Sequence, residues 1–244
     1  MAVSVALAAR NGSAYLAEQV ASILPQLKSG DELVISVDPS TDDTLGLATQ
    51  LASQTSLITV LDGPGQGIAS NFQNALTACT GTHIFLSDHD DLWFPTKVSD
   101  VLEAFKATGA ALILHDAEVV DATLNTIAPS FFKQRGSRPG YTRNILKNSY
   151  IGCCMAFCSS LKPLILPFPS TIPMHDQWIG LIAEKHGGTY FLNKPLVKYR
   201  RHAQNATTAT HASLSQMLTW RRDLITQLQS RKQYPKDLKG QSHA

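Results

Sequence analysis

Three carboxylates stand within four residues at Asp88, Asp90 and Asp91, in the run Ser87-Asp88-His89-Asp90-Asp91-Leu92-Trp93. Negative charges this close repel one another, which raises a carboxyl pKa or calls for a cation. An oxygen-rich cluster suits magnesium or manganese. A divalent ion held there could neutralise the phosphates of a nucleotide and stabilise a departing diphosphate. The same residues also suit a solvated turn in which an aspartate such as Asp91 caps the chain ahead of Trp93.

Two more positions can do chemistry. Asp176 lies in "MHDQWIG" between His175 and Trp178, at a helix start. A carboxylate beside an imidazole and an indole can serve as a general base, and a first-turn aspartate can equally be a helix cap. His202 lies in "YRRHAQN", where a neutral imidazole is a metal ligand or an ordinary surface side chain.

These residues must be positioned by a scaffold, and the first 116 residues supply an alternating one. The apolar runs "VSVALAA", "ELVISVD", "LITVLD", "HIFLSD" and "AALILHD" read as strands. Helical patterns separate them over "SAYLAEQVASIL", "TDDTLGLATQLASQ", "IASNFQNALTAC" and "PTKVSDVLEAFKAT", the last opening on Pro95. Such alternation predicts βαβ units and a mostly parallel sheet flanked by helices. Ligands in such sheets bind outside the carboxyl ends of the strands. Arg10-Asn11, Asp38 and the Asp88–Asp91 cluster all fall at those ends.

Beyond residue 116 the pattern loosens. "PSFFKQRGSRPGYTRN" reads as a loop-rich insertion and "YIGCCMAFCSS" as a strand. "HDQWIGLIAEKHG" reads as a helix, "TYFLNKPLVKYRRH" as a strand pair, and the stretch from Ser213 as a helix with a basic face (Arg221, Arg222, Arg231, Lys232).

The composition narrows the class. The chain has 244 residues, 43% of them hydrophobic and 16% charged, which describes a globular protein able to bury a sizeable core. A formal net charge of +2 is too small to make nucleic acid a main partner. No run of eighteen apolar residues predicts a membrane span, and "MAVSVALAARNG" lacks the basic start of a signal peptide. Cys79, Cys153, Cys154 and Cys158 lack zinc-type spacing and read as free thiols of a cytoplasmic protein.

Taken in order, "VALAARNG", "ISVDPSTDDT", "GIASNFQNAL", "FLSDHDDLWFPTKV", "HDQW" and "YRRHAQN" resemble the family 2 inverting glycosyltransferases of the GT-A fold. The nearest likeness is to the bacterial rhamnosyltransferase-type branch, whose acidic pattern runs close to Ser-Asp-Gln-Asp-Asp-x-Trp-x-Pro-x-Lys. The resemblance covers roughly residues 3 to 206 and implies a transferase domain over 1–206. Its nucleotide-sugar-binding half would be 1–118 and its acceptor-side half 119–206, with a C-terminal helical tail over 207–244.

The resemblance also implies roles. Asp88 meets the ribose or nucleotide, Asp91 supports the loop or the sugar, and Asp38 contacts the nucleobase. Ala8, Arg10 and Asn71 line the nucleotide pocket. Asp90 binds Mn2+ or Mg2+ on the diphosphate, with His202 completing that site. Asp176 is the base that deprotonates an acceptor hydroxyl for a single inverting displacement, unlike the two-carboxylate hydrolases. The donor would be dTDP-rhamnose or a UDP-hexose. The acceptor would be a saccharide or lipid-linked saccharide of a cell-surface glycan, with the basic tail touching an anionic membrane.

Four positions depart from the pattern: His89 stands for glutamine, Arg10 for tyrosine, Ala9 for threonine and Val37 for aspartate. A sugar nucleotidyltransferase would also use magnesium on a related sheet, but "ARNGSAYLAEQV" holds only one glycine and one arginine where its Gly-rich basic signature belongs. A non-catalytic nucleotide-sugar-binding module would often have lost one of Asp88, Asp90, Asp91 and Asp176.

Overall fold

The computed structural model describes residues 1–172, 174–202 and 214–231. Lys232, the remainder of the expected tail beyond Arg231, and the "AQN" that follows His202 lie outside the described residues.

The expected alternation is present. β1 (Val3–Ala9), α1 (Leu16–Ile23), β2 (Glu32–Val37), α2 (Thr44–Ser53), β3 (Ile58–Asp62), α3 (Ile68–Ala78) and β4 (His83–Asp88) follow in turn. β3, β2, β1 and β4 lie side by side, all parallel. All seven residues of β1 are buried, because helices cover both faces of the sheet and its strand cannot alternate. α1 buries Leu16, Gln19, Val20 and Ile23, a single stripe at helical spacing. Register fixes the site: Ala8 pairs with Asp88 and Ala9 with Val37, so the ends of β1, β2 and β4 form one edge.

Beyond β4 the sheet is mixed. β5 (Leu92–Trp93) and α4 (Lys97–Thr108) lead to β6 (Leu112–Asp121) and β7 (Thr126–Ala128). α5 (Phe131–Arg135) and α6 (Tyr141–Leu146) precede a short 3-10 turn at Gly152–Cys154 and β8 (Met155–Cys158). α7 (Lys162–Ile165), α8 (His175–His186), β9 (Thr189–Arg201) and α9 (Leu214–Ser230) complete the order. The strand order is β3-β2-β1-β4-β8-β6-β9-β5, with β7 on β6. β8 runs antiparallel to both β4 and β6, while β6 and β9 are parallel. The sheet is therefore parallel through its first four strands and mixed afterwards.

Three local expectations change. The loop-rich insertion carries two helices of five and six residues, too short to display a helical period. Ser130 caps the first by accepting the Lys133 amide at 3.1 Å. The strand pair is one continuous strand, β9, whose register against β6 shifts around Asp116 where Pro195 interrupts the ladder. Only Met155–Cys158 of "YIGCCMAFCSS" is strand. All four cysteines are free thiols, as expected. Among the described residues no helix is long and apolar enough to cross a membrane.

α8 is the buried hub of the second half. Trp178 is fully buried and donates its indole N–H to the Ile165 carbonyl at 3.0 Å. Gly180 faces the Tyr150 ring so closely that a Cβ there would collide with it. Gly180→Ala should destabilise the fold by about 1–3 kcal/mol through overpacking, read as a lower midpoint in denaturant at unchanged slope.

Candidate active site

The edge formed by β1, β2 and β4 opens into a cavity of about 540 Å³. Ala8, Arg10, Asp38, Asn71, Asp88, Asp90 and His202 all line it, so seven of the nine residues singled out from sequence converge on one space. His89 and Tyr199 line it as well, without having been assigned a role. Asp91 and Asp176 lie outside that lining: Asp91 is buried beneath the acidic loop and Asp176 opens α8.

One wall is laced by short polar contacts. Asn71 donates to the Ala9 carbonyl at 3.1 Å, and its Oδ1 is buried with no partner among the described residues. Asp38 accepts the Gly65 amide at 2.9 Å. A Cβ at Gly63 would stand 2.5 Å from the Asp38 carboxylate and 2.7 Å from Asn71 Oδ1, so only glycine fits there. Asn11, at φ 48°, accepts the Thr41 amide at 2.8 Å. Asp42 accepts the Ser13 amide at 3.0 Å. Slight burial opposes its ionisation, but hydrogen bonds from Thr44 and Ser13 outweigh it and hold Asp42 at about 2. The acidic residues of "DPSTDDT" thus include one that ties the loop after β2 to the loop after β1. Val37, where the family pattern has an aspartate, is a buried strand residue paired with Ala9.

The acidic loop is clamped from β9. Asp90 Oδ2 meets His202 Nε2 at 2.9 Å, so the two expected metal ligands touch. The His202 ring stacks on Tyr15 with centroids 5.0 Å apart. Asp91 Oδ1 accepts the Arg200 amide at 3.0 Å, while its Oδ2 is buried with no partner among the described residues. The buried Arg200 side chain donates to Asp90 O at 2.8 Å, Ala122 O at 2.9 Å and Glu18 at 2.6 Å. Its guanidinium also lies 4.8 Å from the Tyr15 ring centroid. Below the loop, Lys97 is fully buried, donating to Cys153 O at 2.7 Å with its ammonium 3.8 Å from the Trp93 ring centroid.

The electrostatics follow from this packing. Burial, then the neighbouring Asp91, Asp90 and Asp176, push Asp88 well above the usual carboxylate range. Burial and Asp90 push Asp91 up to about 7. Burial pulls Lys97 down to about 8 against the attraction of nearby acidic groups. Ligand atoms of Asp88, Asp91 and Cys153 all lie within 4.8 Å of one another. Buried carboxylates this crowded, one with an orphaned oxygen, fit a divalent cation. Asp88 and Asp90 of this loop line the cavity.

Asp176 lies outside the cavity lining but near enough for its charge to raise Asp88, and it is buried. Its Oδ1 accepts the Gln177 amide at 2.5 Å and Asn148 Nδ2 at 3.2 Å. Burial raises it to about 6 despite those bonds. The two flanking rings turn elsewhere. Trp178 faces Ile165, and His175 stacks on Phe72 at 4.5 Å, held down at about 4 by burial.

Sequence reasoning missed Arg200, Tyr15, Asn148 and the full role of Lys97. Arg200 was within reach, since it stands two residues before His202. Arg200→Met would leave the carbonyls of Asp90 and Ala122 and the Glu18 carboxylate without its side-chain support. It should cost about 3 kcal/mol of stability, seen as a lower melting temperature that Arg200→Lys recovers only in part.

The family model for "Glycosyl transferase family 2" matches residues 4–163. An uncharacterised glycosyltransferase of Nostoc sp. is 31% identical over 128 residues, 52% of this chain and 40% of that protein. The chain thus spans less than half of that relative's length. The putative teichuronic acid biosynthesis glycosyltransferase TuaG of Bacillus subtilis is 28% identical across 81% of this chain and 78% of its own length. The dTDP-rhamnosyl transferase RfbG of Shigella flexneri is 24% identical across 83% and 74%. Among solved structures, S. aureus TarS 1–349 in complex with UDP-GlcNAc superposes with a TM-score of 0.73 at 18% identity, over 96% of this chain and 68% of that one. The mannosyltransferase PcManGT of Pyrobaculum calidifontis, in complex with GDP-Man and Mn2+, superposes with a TM-score of 0.58 at 20% identity, over 79% and 54%.

Proposed function

The chain belongs to glycosyl transferase family 2, and on that premise we propose that it moves a sugar from a nucleotide-diphosphate donor to a saccharide acceptor with inversion at the anomeric carbon. The observation that carries this reading is the convergence of Ala8, Arg10, Asp38, Asn71, Asp88, Asp90 and His202 on one cavity, with one buried carboxylate, Asp176, standing apart. The donor is a dTDP- or UDP-sugar, rhamnose or another hexose. The product belongs to cell-surface polysaccharide synthesis, a reading supported by the teichuronic acid biosynthesis in TuaG's name, while RfbG's name supports the dTDP-rhamnose donor.

Asp38 and Asn71 hold the nucleobase end through the wall they share with Ala9. Asp88 takes the ribose side, and Arg10 adds a positive charge at the rim. Asp90 and His202 would hold Mn2+ or Mg2+, with Asp88 beside them on the cavity lining. That ion, when bound, neutralises the diphosphate as it leaves. Asp91 keeps the loop in shape through the Arg200 amide. Asp176 takes the proton of the acceptor hydroxyl as that oxygen bonds the anomeric carbon and the carbon–oxygen bond to the diphosphate breaks. One base suffices, because the displacement forms no covalent sugar intermediate. A lipid-linked acceptor would bring the enzyme to the inner face of a membrane.

A thermal-shift series with nucleotide sugars and Mn2+ tests the donor class, since a ligand that binds the folded state raises its melting temperature. Stabilisation by a dTDP- or UDP-sugar, followed by transfer to a saccharide, is the expected outcome. Pyrophosphate release from a nucleoside triphosphate and a sugar phosphate would replace this reading with a nucleotidyltransferase.

A further inference from the structure

We propose that the face built by α6 and α9 docks on a membrane surface carrying anionic lipids. α9 is fastened to the body through its inner stripe. Leu224 and Leu228 are buried, Lys185 donates to Leu228 O at 3.0 Å, and Arg231 donates to Leu166 O at 3.0 Å. Its outer flank carries two large apolar side chains among polar ones: Leu218 is 64% exposed and Ile225, seven residues on and on the same side, 39%, with the exposed Arg222 between them. Arg221 extends this flank to α6 by donating to the Leu146 carbonyl at 2.8 Å, and the Leu146 side chain is itself 64% exposed.

The charges around this flank select the occupant. Residues 141–147 and 214–230 carry four cations, Arg143, Lys147, Arg221 and Arg222, against one acid, Asp223, which pairs with Arg222 at 3.0 Å. A two-fold contact with a second copy would set this cationic face against itself. An anionic lipid surface would satisfy both components, taking leucine and isoleucine side chains into the acyl boundary and arginines at the headgroups.

The face has a defined relation to the base. Asn148, two residues beyond Leu146, donates to Asp176 at 3.2 Å. Docking there would place the base next to the lipid surface, where the sugar of a lipid-linked acceptor stands. This last step rests on the transferase reading; the docking itself does not.

The test is co-sedimentation of the full chain with vesicles of phosphatidylcholine alone and with phosphatidylglycerol added, at low and high salt. Leu146→Glu/Leu218→Glu and Arg222→Glu variants run alongside, with melting temperature as the folding control. The wild type should partition onto the anionic vesicles, more weakly at high salt. The double variant should lose at least about tenfold at an unchanged melting temperature, and Arg222→Glu a smaller part. No partition by the wild type, or equal partition by the double variant, would overturn the proposal. So would a concentration-dependent dimer that the double variant dissolves without any vesicle binding. Affinity for a nucleotide sugar, measured on the same samples, keeps the two readings separate. Vesicle binding without it removes the transferase reading and leaves the docking face, and the converse result removes the docking face alone.

Discussion

Replacing Asp90 with alanine should reduce sugar transfer by about a thousandfold, the equivalent of about 4 kcal/mol of lost charge stabilisation as the diphosphate departs. Asp90 lines the cavity, and its carboxylate is the group that meets His202 at 2.9 Å. Its backbone carbonyl accepts from Arg200, a contact the substitution leaves in place. The loop should therefore keep its path while losing the carboxylate that lines the cavity. The measurement is turnover of nucleotide sugar with Mn2+ or Mg2+, beside a calorimetric titration of Mn2+ into the protein. EDTA should abolish wild-type transfer to the same degree. Full activity in EDTA, or a normal rate from Asp90→Ala, would remove both the cation and Asp90 from the reaction.

Asp176→Asn should lower the turnover number by about 10²–10⁴-fold, the range of a positioned base, and leave donor affinity unchanged. Asp176 lies outside the cavity lining, so the nucleotide has no contact to lose there. Its carboxyl, raised by burial to about 6, makes the base half protonated near that pH. The wild-type rate should fall about tenfold per unit below it, and the Asn variant should lack that limb.

The same shift has a thermodynamic sign. The folded state binds this proton more tightly than the unfolded chain does, so stability falls as pH rises from about 4 through 6. Ionising Asp176 then costs on the order of 2–3 kcal/mol at neutral pH. Asp176→Asn should melt higher than wild type at pH 7.5 and lose that advantage near pH 4. A normal transfer rate, whatever the melting curve, would exclude Asp176 as the base.

The parallel half was legible because β1, β2 and β4 are buried on both faces and read as unbroken apolar runs between helical patterns. The acidic loop was legible because residue type and spacing alone imply repulsion or a cation. Asp38 and Arg10 were legible as strand-end residues on one edge, whereas Asn71 came from the family resemblance. Other features depend on pairings that spacing does not encode. Arg200 and Asp90 meet because β9 pairs with β5, which directly follows the acidic loop, some 110 residues along the chain. Asn148 reaches Asp176 because α6 packs against α8, and nothing in "LKNSY" announces it. The rings beside Asp176 were adjacent in sequence, yet helical geometry turns Trp178 away from it. α5 and α6 escaped because five or six residues complete too few turns to show a period.

The insertion of Met155–Cys158 between β4 and β6 also bears on how the chain is made. β4 ends at Asp88, so its outer edge finds its partner only after roughly seventy more residues have left the ribosome. At about 5–20 residues per second that interval lasts about 4–14 s. Through it the nascent sheet offers "HIFLS" as an open strand, the form in which one chain pairs with another. Translation speed across residues 89–158 and chaperone supply in that window should therefore govern the yield of folded enzyme more strongly than the stability of the finished protein.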